Sequence, residues 1–370
     1  MRFKCDQQVL AKAINTVSVA VSNRTTLPVL RGILMNASGD EVSLTASDLD
    51  ISIKTVIKAD VEEEGSTVVM AKLFGDIVRK LPNEEINIEK EREDSVKVNT
   101  VSSEFNVLAL PVEDFPETGS KEEDNRKIAL DSDIFKMMIR KTGFAASTDE
   151  SKGVLTGVLT EINEDAINMV ALDGFRLALA KEYVKSSSNE RFIIAATKMN
   201  EIAKILSDHE DEDIEIELGK KRAVLNIGDT EIVIRVMEGE FIKYEDIIPK
   251  ESNTRIVIGR SILMNSIERA SLLAREGGKN NLIKFSVKED MLTITSRSEE
   301  GNVREEIGIE KEGNDIEIGF NSKYMIDALK EIEDEKICLY MNTSVTPCVV
   351  RPTEGDSYEY LILPVRIPAM

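Results

Sequence analysis

The sequence predicts an α+β protein made of three copies of one unit, each built from two antiparallel sheets backed by two helices. Three observations carry this. Apolar-flanked turns centred on Asp40, Asp165 and Asp290 recur at spacings of 125 residues, an ordinary domain size. The helix openings AKLFGDIVRKL at Ala71, ATKMNEIAKIL at Ala196 and NSKYMIDALKEI at Asn321 follow in step, with Lys72, Lys198 and Lys323 spaced 126 and 125 apart. Within each unit the apolar pattern switches between helical spacing and the two-residue spacing of strands.

In the first unit, residues 7 to 21 place Val9, Leu10, Ala13, Ile14 and Val17 on one stripe with Lys12 off it, which is an amphipathic helix. Strands follow at Ile33 to Met35, Val42-x-Leu44 and Ile51-x-Ile53. A second helix starts near Lys72 and stops at Pro82, and Ile86-x-Ile88, Val96-x-Val98 and Phe105 to Leu110 close the unit as strands. The middle unit repeats the order with a helix over residues 131 to 146 and strands at 155–159, 167–170, 177–179, 214–216, 224–226 and 232–236. The third has a helix over 259 to 274 and strands at 283–285, 292–294, 303–309, 337–339, 345–350 and 360–363. Each unit thus reads as two similar halves, a helix and three or four strands apiece. The polar linkers PVEDFPETGSKEEDNRK at Pro111 and EFIKYEDIIPKESNTR at Glu240 set the expected domains at 1–120, 127–250 and 253–370.

One stretch departs from the repeat. MVALDGFRLALA at Met169 reads as two strand segments broken at Asp173-Gly174, and LTASDLDISI at Leu44 echoes it with Asp48 in register at a distance of 125. Only the central copy carries Gly174, Phe175, Arg176 and Leu177. One repeat keeps the scaffold and adds a binding feature.

Composition bounds the function. Hydrophobic residues at 42 % suffice for three cores, and 5 % aromatic with no Trp points to aliphatic packing. The start MRFKCDQQVL lacks an apolar signal region and no run of eighteen apolar residues occurs, so a cytoplasmic protein is expected. Cys5, Cys338 and Cys348 are odd in number without CxxC spacing, which argues against a disulfide framework and a zinc site; neither metal nor cofactor is expected. The net charge of −21 argues against a nucleic-acid partner, yet the six helical windows 6–24, 71–82, 131–146, 196–206, 259–279 and 321–332 together carry +7, leaving −28 for everything else. Relatively basic helices on an acidic body suit one surface facing a polyanion; Lys and Arg as plain helix formers on solvated faces suit the same count.

Nothing supports catalysis. His209, the single histidine, sits in the acidic turn SDHEDEDIE, and neither a phosphate-binding glycine loop nor a nucleophile elbow occurs. The acidic run from Asp208 to Glu215 lacks the spacing of a calcium loop.

The triplication together with TLPVLRGIL at Thr26, SLTASDLDI at Ser43, MVALDGFRLAL at Met169, IEIGFNSKYMIDAL at Ile316 and YLILPVRI at Tyr360 resembles the bacterial β sliding clamps, over essentially the whole chain. The resemblance implies a DNA clamp fold: two subunits joined head to tail into a closed ring, helices lining the hole, sheets at the rim. It implies a non-catalytic processivity factor for double-stranded DNA whose partners are a second copy of itself, the replicative polymerase, a clamp-loading ATPase and other proteins carrying a clamp-binding motif, and no membrane.

The resemblance also assigns residues. A hydrophobic peptide pocket would be formed by Leu155, Leu172, Gly174, Phe175, Arg176, Leu177, Ile242, Ile247, Asn321, Tyr324, Val345, Pro347, Leu361, Ile362, Leu363, Pro364, Val365 and Arg366. Aliphatic walls would bury a partner's apolar anchors while backbone groups and Arg176 orient the peptide. This chain has Phe241-Ile242 where many members have Phe-Pro, Asp246 where a basic residue occurs, and a tail Pro368-Ala369-Met370. DNA contacts would come from Arg24, Lys72, Arg79, Lys80, Lys198, Arg275 and Lys279, with Lys12, Lys136, Arg140, Lys204 and Lys323 as further cations; all suit phosphates, which carry no sequence information. At the subunit seam Phe105 and Leu108 on an edge strand would face Leu272 and Leu273. A repeat scaffold that binds proteins but not DNA, and an enzyme, rank behind this reading.

Overall fold

The structure, a computed structural model, describes all residues except 23–24, 118–125, 185–188, 210–211, 277–280 and 368–370, and no side chain at 126, 275 and 276. The first repeat runs β1 (Arg2–Asp6), α1 (Gln7–Ser18), β2 (Gly32–Ser38), β3 (Glu41–Ser47), β4 (Ile51–Lys58), β5 (Asp60–Glu63), β6 (Gly65–Met70), α2 (Ala71–Lys80), β7 (Glu85–Arg92), β8 (Ser95–Asn99) and β9 (Glu104–Leu110). The second runs β10 (Arg126–Asp131), α3 (Ser132–Gly143), β11 (Gly157–Ile162), β12 (Ile167–Leu172), β13 (Arg176–Glu182), β14 (Glu190–Ala195), α4 (Ala196–Leu206), β15 (Asp213–Leu218), β16 (Arg222–Ile227) and β17 (Thr230–Arg235). The third runs β18 (Thr254–Gly259), α5 (Arg260–Glu276), β19 (Leu282–Lys288), β20 (Met291–Arg297), β21 (Asn302–Gly308), β22 (Glu310–Gly313), β23 (Ile316–Asn321), α6 (Ser322–Lys330), β24 (Lys336–Met341), β25 (Cys348–Pro352) and β26 (Tyr358–Ile362).

Each half is therefore strand, helix, three strands, with a short fourth strand, β5 or β22, ending the first half of the first and third repeats. The leading strands were not legible as such: RFKCD and ERFIIA are short and run into their helices with no turn residue between. At β1 the transition is made by Asp6, whose carboxylate accepts the Gln8 and Val9 amides at 2.8 and 3.2 Å and caps α1. At β23 Asn321 does the same for α6, accepting the Lys323 amide at 3.0 Å. The leading strand then joins the other half's sheet. β1 pairs with β7, Phe3 opposite Ile88, while β6 pairs with β2, Ile33 opposite Val69. The two halves are interlocked, and neither sheet is complete without the other half's first strand.

Sheets also continue from repeat to repeat. β4 pairs with β17 and β13 pairs with β26, which gives strand orders β10-β15-β16-β17-β4-β3-β2-β6-β9-β8-β7-β1-β5 and β14-β11-β12-β13-β26-β25-β24-β18-β22 among the described residues; β21-β20-β19-β23 stand apart. The chain falls into two compact units, residues 1–133 with 204–236 and residues 134–203 with 237–370. The core of the first holds Phe3, Leu10, Ile14 and Phe74; that of the second holds Phe135, Phe285 edge-on to Phe320, and Tyr358 stacked on Tyr360. Each such side chain contributes about 1.5–3 kcal/mol by leaving water.

Several boundaries differ from the sequence reading; the strand expected over 155–159 starts at Gly157 and runs to Ile162, and Leu155 belongs to a 3-10 turn before it. α1 ends at Ser18, not residue 21, and α3 covers 132–143, not 131–146. The strand expected over 345–350 starts only at Cys348: Thr343 donates its amide to no strand but to Thr346 Oγ1 at 2.9 Å, and Pro347 lacks an amide to extend the ladder, so Val345 rides on a turn. Among the described residues no helix is long and apolar enough to cross a membrane.

Candidate functional site

The break at Asp173 is a side-chain-closed turn. Its carboxylate accepts the Phe175 and Arg176 amides at 2.8 and 3.1 Å, and Gly174 sits at φ +95°, a left-handed backbone that costs glycine least. Asp48 repeats it, accepting the Asp50 and Ile51 amides at 3.1 and 3.0 Å with Leu49 forced to φ +80°. A third copy escaped the sequence reading. Ser298, again 125 residues on, accepts the Glu300 amide at 3.2 Å through its hydroxyl; serine in place of aspartate hid it.

From this turn the second compact unit assembles an apolar cluster. Leu172, Leu177 and Leu361 are buried together with Leu159, Val170, Phe241, Tyr244 and Val349, and half-exposed Leu155 and Leu363 pack on the outside. Two backbone bonds lay the end of the chain here: the Leu363 amide donates to the Phe175 carbonyl at 2.9 Å, and the Val365 amide to the Gly319 carbonyl at 2.8 Å. Gly319 has to be glycine, since a Cβ would stand 2.6 Å from the Val365 oxygen. Phe175, Val345, Ile242 and Ile247 are exposed apolar side chains of the same unit. Phe175 stacks on Tyr324 at 6.1 Å between centroids, and Lys152, 5.6 Å above its ring, donates to the Asp173 carbonyl. Pro347 lines a small surface cavity with Pro249, Tyr340 and Val349. Pro364 is half-exposed and Arg366 exposed.

Not every assigned residue joins this surface. Strand alternation puts buried Ile362 on the face of Tyr360, opposite Leu361. The Asn321 side chain is occupied as a helix cap. Arg176 is committed internally: its guanidinium, 11 % exposed, donates to Asp327 at 2.7 Å and Asp173 at 3.1 Å, and lies 4.8 and 5.4 Å from the centroids of Tyr324 and Phe144. It ties the turn to α6, lies against Phe144 just past α3, and is not a free anchor for a peptide. Burial, with the Asp173 charge beside it, raises the Tyr324 hydroxyl above its ordinary value, so the ring stays a neutral phenol. Asp327, Phe144 and Lys152 went unread in the sequence because 151 residues separate Asp327 from its arginine.

The proposed phosphate contacts are spread over both compact units. Lys72 and Lys80 are exposed on α2, and Lys12 on α1, without an ion pair among the described residues. Arg79 is tied to Asp76 and donates to Asn15. Lys198 does not present a free ammonium: it is 14 % exposed and paired with Glu201 at 3.0 Å. Arg140 is exposed and 3.7 Å from Glu331, Lys136 is half-buried, and Lys204 and Lys323 are exposed. Arg24 and Lys279 lie outside the described residues, as does the side chain of Arg275. His209 Nδ1 lies 3.2 Å from Glu212; residues 210 and 211 of the acidic run fall outside the described residues. Of the seam residues, Phe105 is 39 %, Leu108 62 % and Leu272 63 % exposed, and Leu273 is half-buried.

Interlocked half-repeats joined edge to edge, with an apolar cluster in the second unit, define a class of triplicated α+β proteins. Comparisons with known proteins agree. Family models of the N-terminal, central and C-terminal domains of the DNA polymerase III β subunit match residues 1–119, 129–243 and 245–366. The β sliding clamp of Staphylococcus epidermidis is 35 % identical over 377 residues, covering 99 % of each chain. The sliding clamp of Bacillus subtilis superimposes with a TM-score of 0.95 at 34 % identity, covering 100 % of both chains, and the DNA polymerase III β subunit of Thermotoga maritima with 0.94 at 29 %, covering 99 % and 100 %. The chain belongs to the DNA polymerase III β subunit family, the bacterial sliding clamps.

Proposed function

We propose that this DNA sliding clamp serves replication processivity as a head-to-tail ring of two copies, each contributing three clamp domains at 1–120, 127–250 and 253–370. The duplex passes through the ring and is held by topology; the chain supplies no chemistry. The observation that carries the reading is the strand order. Both joints inside the chain pair the third strand after a repeat's first helix with the last strand of the next repeat, and this leaves β21 with an open edge and β9 open along residues 104–108. A heterologous contact of that kind closes into a ring when its rotation allows. Phe105 and Leu108, exposed on β9, with Leu272 and Leu273 on α5, supply apolar area for it. The cluster around Leu155, Leu177 and Leu363 is the surface on which the polymerase, the loading ATPase and other motif-bearing partners dock their aliphatic or aromatic anchors.

Cations scattered over helices of a chain at −21 suit a cushion better than an adhesive. Phosphate contacts weaken with salt by a log–log slope of about 0.9 per phosphate. The test is retention on closed circular DNA after enzymatic loading: survival at high salt, with release once a restriction enzyme linearises the circle. Equal residence before and after cutting, with free ends, overturns encirclement.

A further inference from the structure

The backbone arrangement of the second joint recurs at the first with a different chemistry on it. The strand orders β13-β26-β25-β24 and β4-β17-β16-β15 match. Cys348 lies opposite Ile362 and Ala223 opposite Ile234, so Arg222 holds the place of Pro347, and Arg235 that of Leu363. The turn that carries exposed Val345 at the second joint is replaced at the first by the two-residue loop Lys220-Lys221, closed by the Gly219 amide donating to the Arg222 carbonyl at 2.9 Å. Where one joint presents Val345, Pro347 and Leu363, the other presents Lys220, Lys221, Arg222 and Arg235, all four exposed.

These cations are crowded. Arg222 and Arg235 lie directly opposite each other across β16 and β17, and like charges in that position destabilise a sheet. Strand alternation turns both outward, since the neighbouring pair Ala223 and Ile234 is buried. The Asp50 carboxylate stands 3.9 Å from Arg235, too far to hydrogen-bond it, while Lys221 and Arg222 have no ion pair among the described residues. A chain with 68 acidic and 47 basic side chains thus gathers four cations at one end of adjacent strands, two of them in a mutual repulsion that a bound carboxylate relieves. Resting for the comparison on the docking reading of the second joint, we propose that Lys221, Arg222 and Arg235 form a docking surface for an acidic peptide segment of a partner protein. Guanidinium groups fork to carboxylates, and side chains this exposed make a weak, salt-sensitive contact that lets one partner replace another. A peptide fits better than a duplex. The patch copies a backbone arrangement read as peptide-binding, and it lies on a sheet, whereas Lys72 and Lys80 lie on a helix.

Fluorescence anisotropy on the full chain at low salt, with a short labelled peptide of Asp, Glu and Gly, tests the surface. The peptide should bind and be released as salt rises, and its Asn and Gln counterpart should not bind. Arg222→Glu with Arg235→Glu should raise the dissociation constant at least about tenfold, whereas Lys72→Glu with Lys80→Glu should leave it unchanged. Arg222→Gln with Arg235→Gln should also weaken binding yet melt no lower than the parent, because the opposed pair is repulsive. A purely structural pair would do the reverse, lowering the melting temperature with peptide affinity intact, and that result overturns the proposal. So does the absence of acidic-peptide binding at low salt, an equal loss in the α2 variant, or an arginine variant that loses short-duplex binding and keeps the peptide. An uncharged peptide with Leu and Phe anchors reads the second joint separately: its failure to bind overturns the docking reading there and leaves the basic surface to its own result.

Discussion

Arg235 and Leu363 hold the same backbone position in successive joints. The Arg235 amide donates to the Asp50 carbonyl at 2.9 Å, and the Leu363 amide donates to the Phe175 carbonyl at 2.9 Å. Their side chains diverge. Arg235 is 70 % exposed and reaches toward Asp50 at 3.9 Å, whereas Leu363 lies against the apolar cluster. The turn residues diverge with them, Leu49-Asp50 at the first joint and Gly174-Phe175 at the second. One joint thereby presents a polar surface and the other an apolar one, on a common backbone.

Leu363→Arg should accordingly convert the second joint to the character of the first. The backbone tolerates arginine at the equivalent position, so folding should be preserved, while affinity for a polymerase-derived peptide with Leu or Phe anchors should fall at least about tenfold, as for loss of a hot-spot contact. Calorimetry, alongside an unchanged melting temperature, checks it; parental affinity would place the docking surface elsewhere.

Arg176 acts within the protein. Arg176→Ala leaves the Asp173 and Asp327 carboxylates, 13 % and 25 % exposed, facing each other without a cation, which should destabilise the second compact unit by about 3 kcal/mol. Arg176→Lys keeps the charge but cannot fork to both carboxylates or lie flat on Tyr324, and should fall between. Denaturant unfolding measures both; a loss confined to peptide binding, with stability intact, would contradict the internal role.

The period of 125 made the repeats, the paired helices and the Asp173 turn readable, since each depends on local pattern alone. The leading strands β1 and β14 were lost because a strand of five or six residues that feeds a helix without a turn leaves no boundary in the sequence. For the candidate site, the apolar character of Leu155, Leu177 and Leu363, which the structure gathers at one cluster, was legible, but the burial of Arg176 and Lys198 was not. Both depend on carboxylates whose proximity only the fold determines, Asp327 on α6 and the orientation of Glu201 on α4.

Two carboxylates should shift stability with pH in opposite senses. Burial raises the Glu331 carboxyl above its ordinary value against the partial relief of Arg140, so its contribution is present below the ordinary carboxylate range and lost as pH rises through the raised value. Glu331→Gln should melt higher than the parent above that window and alike below it. Asp356 is held below its ordinary value, first by the hydrogen bond from Lys181 and then by Tyr183, so its contribution is present above the ordinary range and lost as pH falls through the lowered value. Asp356→Asn should melt lower at neutral pH and converge with the parent in acid. Melting curves over a pH series decide both.

The last expectation separates the phosphate contacts that the resemblance groups together. Lys72 and Lys80 are exposed on α2 with no ion pair among the described residues, so each ammonium can meet a phosphate at no cost to an existing partner. Lys198 would first have to leave Glu201 and its largely buried setting. Lys72→Ala with Lys80→Ala should therefore reduce the salt slope of weak binding to short linear duplex by up to about two phosphates' worth and slow loading onto circles. Lys198→Ala should leave the slope nearly unchanged and act, if at all, on the melting temperature through the unpaired Glu201. Electrophoretic titrations at several salt concentrations, with sedimentation to confirm that dimers persist, distinguish the two. A slope that drops as much for Lys198→Ala as for the α2 pair would mean that Lys198 exchanges Glu201 for DNA, and that its ion pair is a resting state of the free protein.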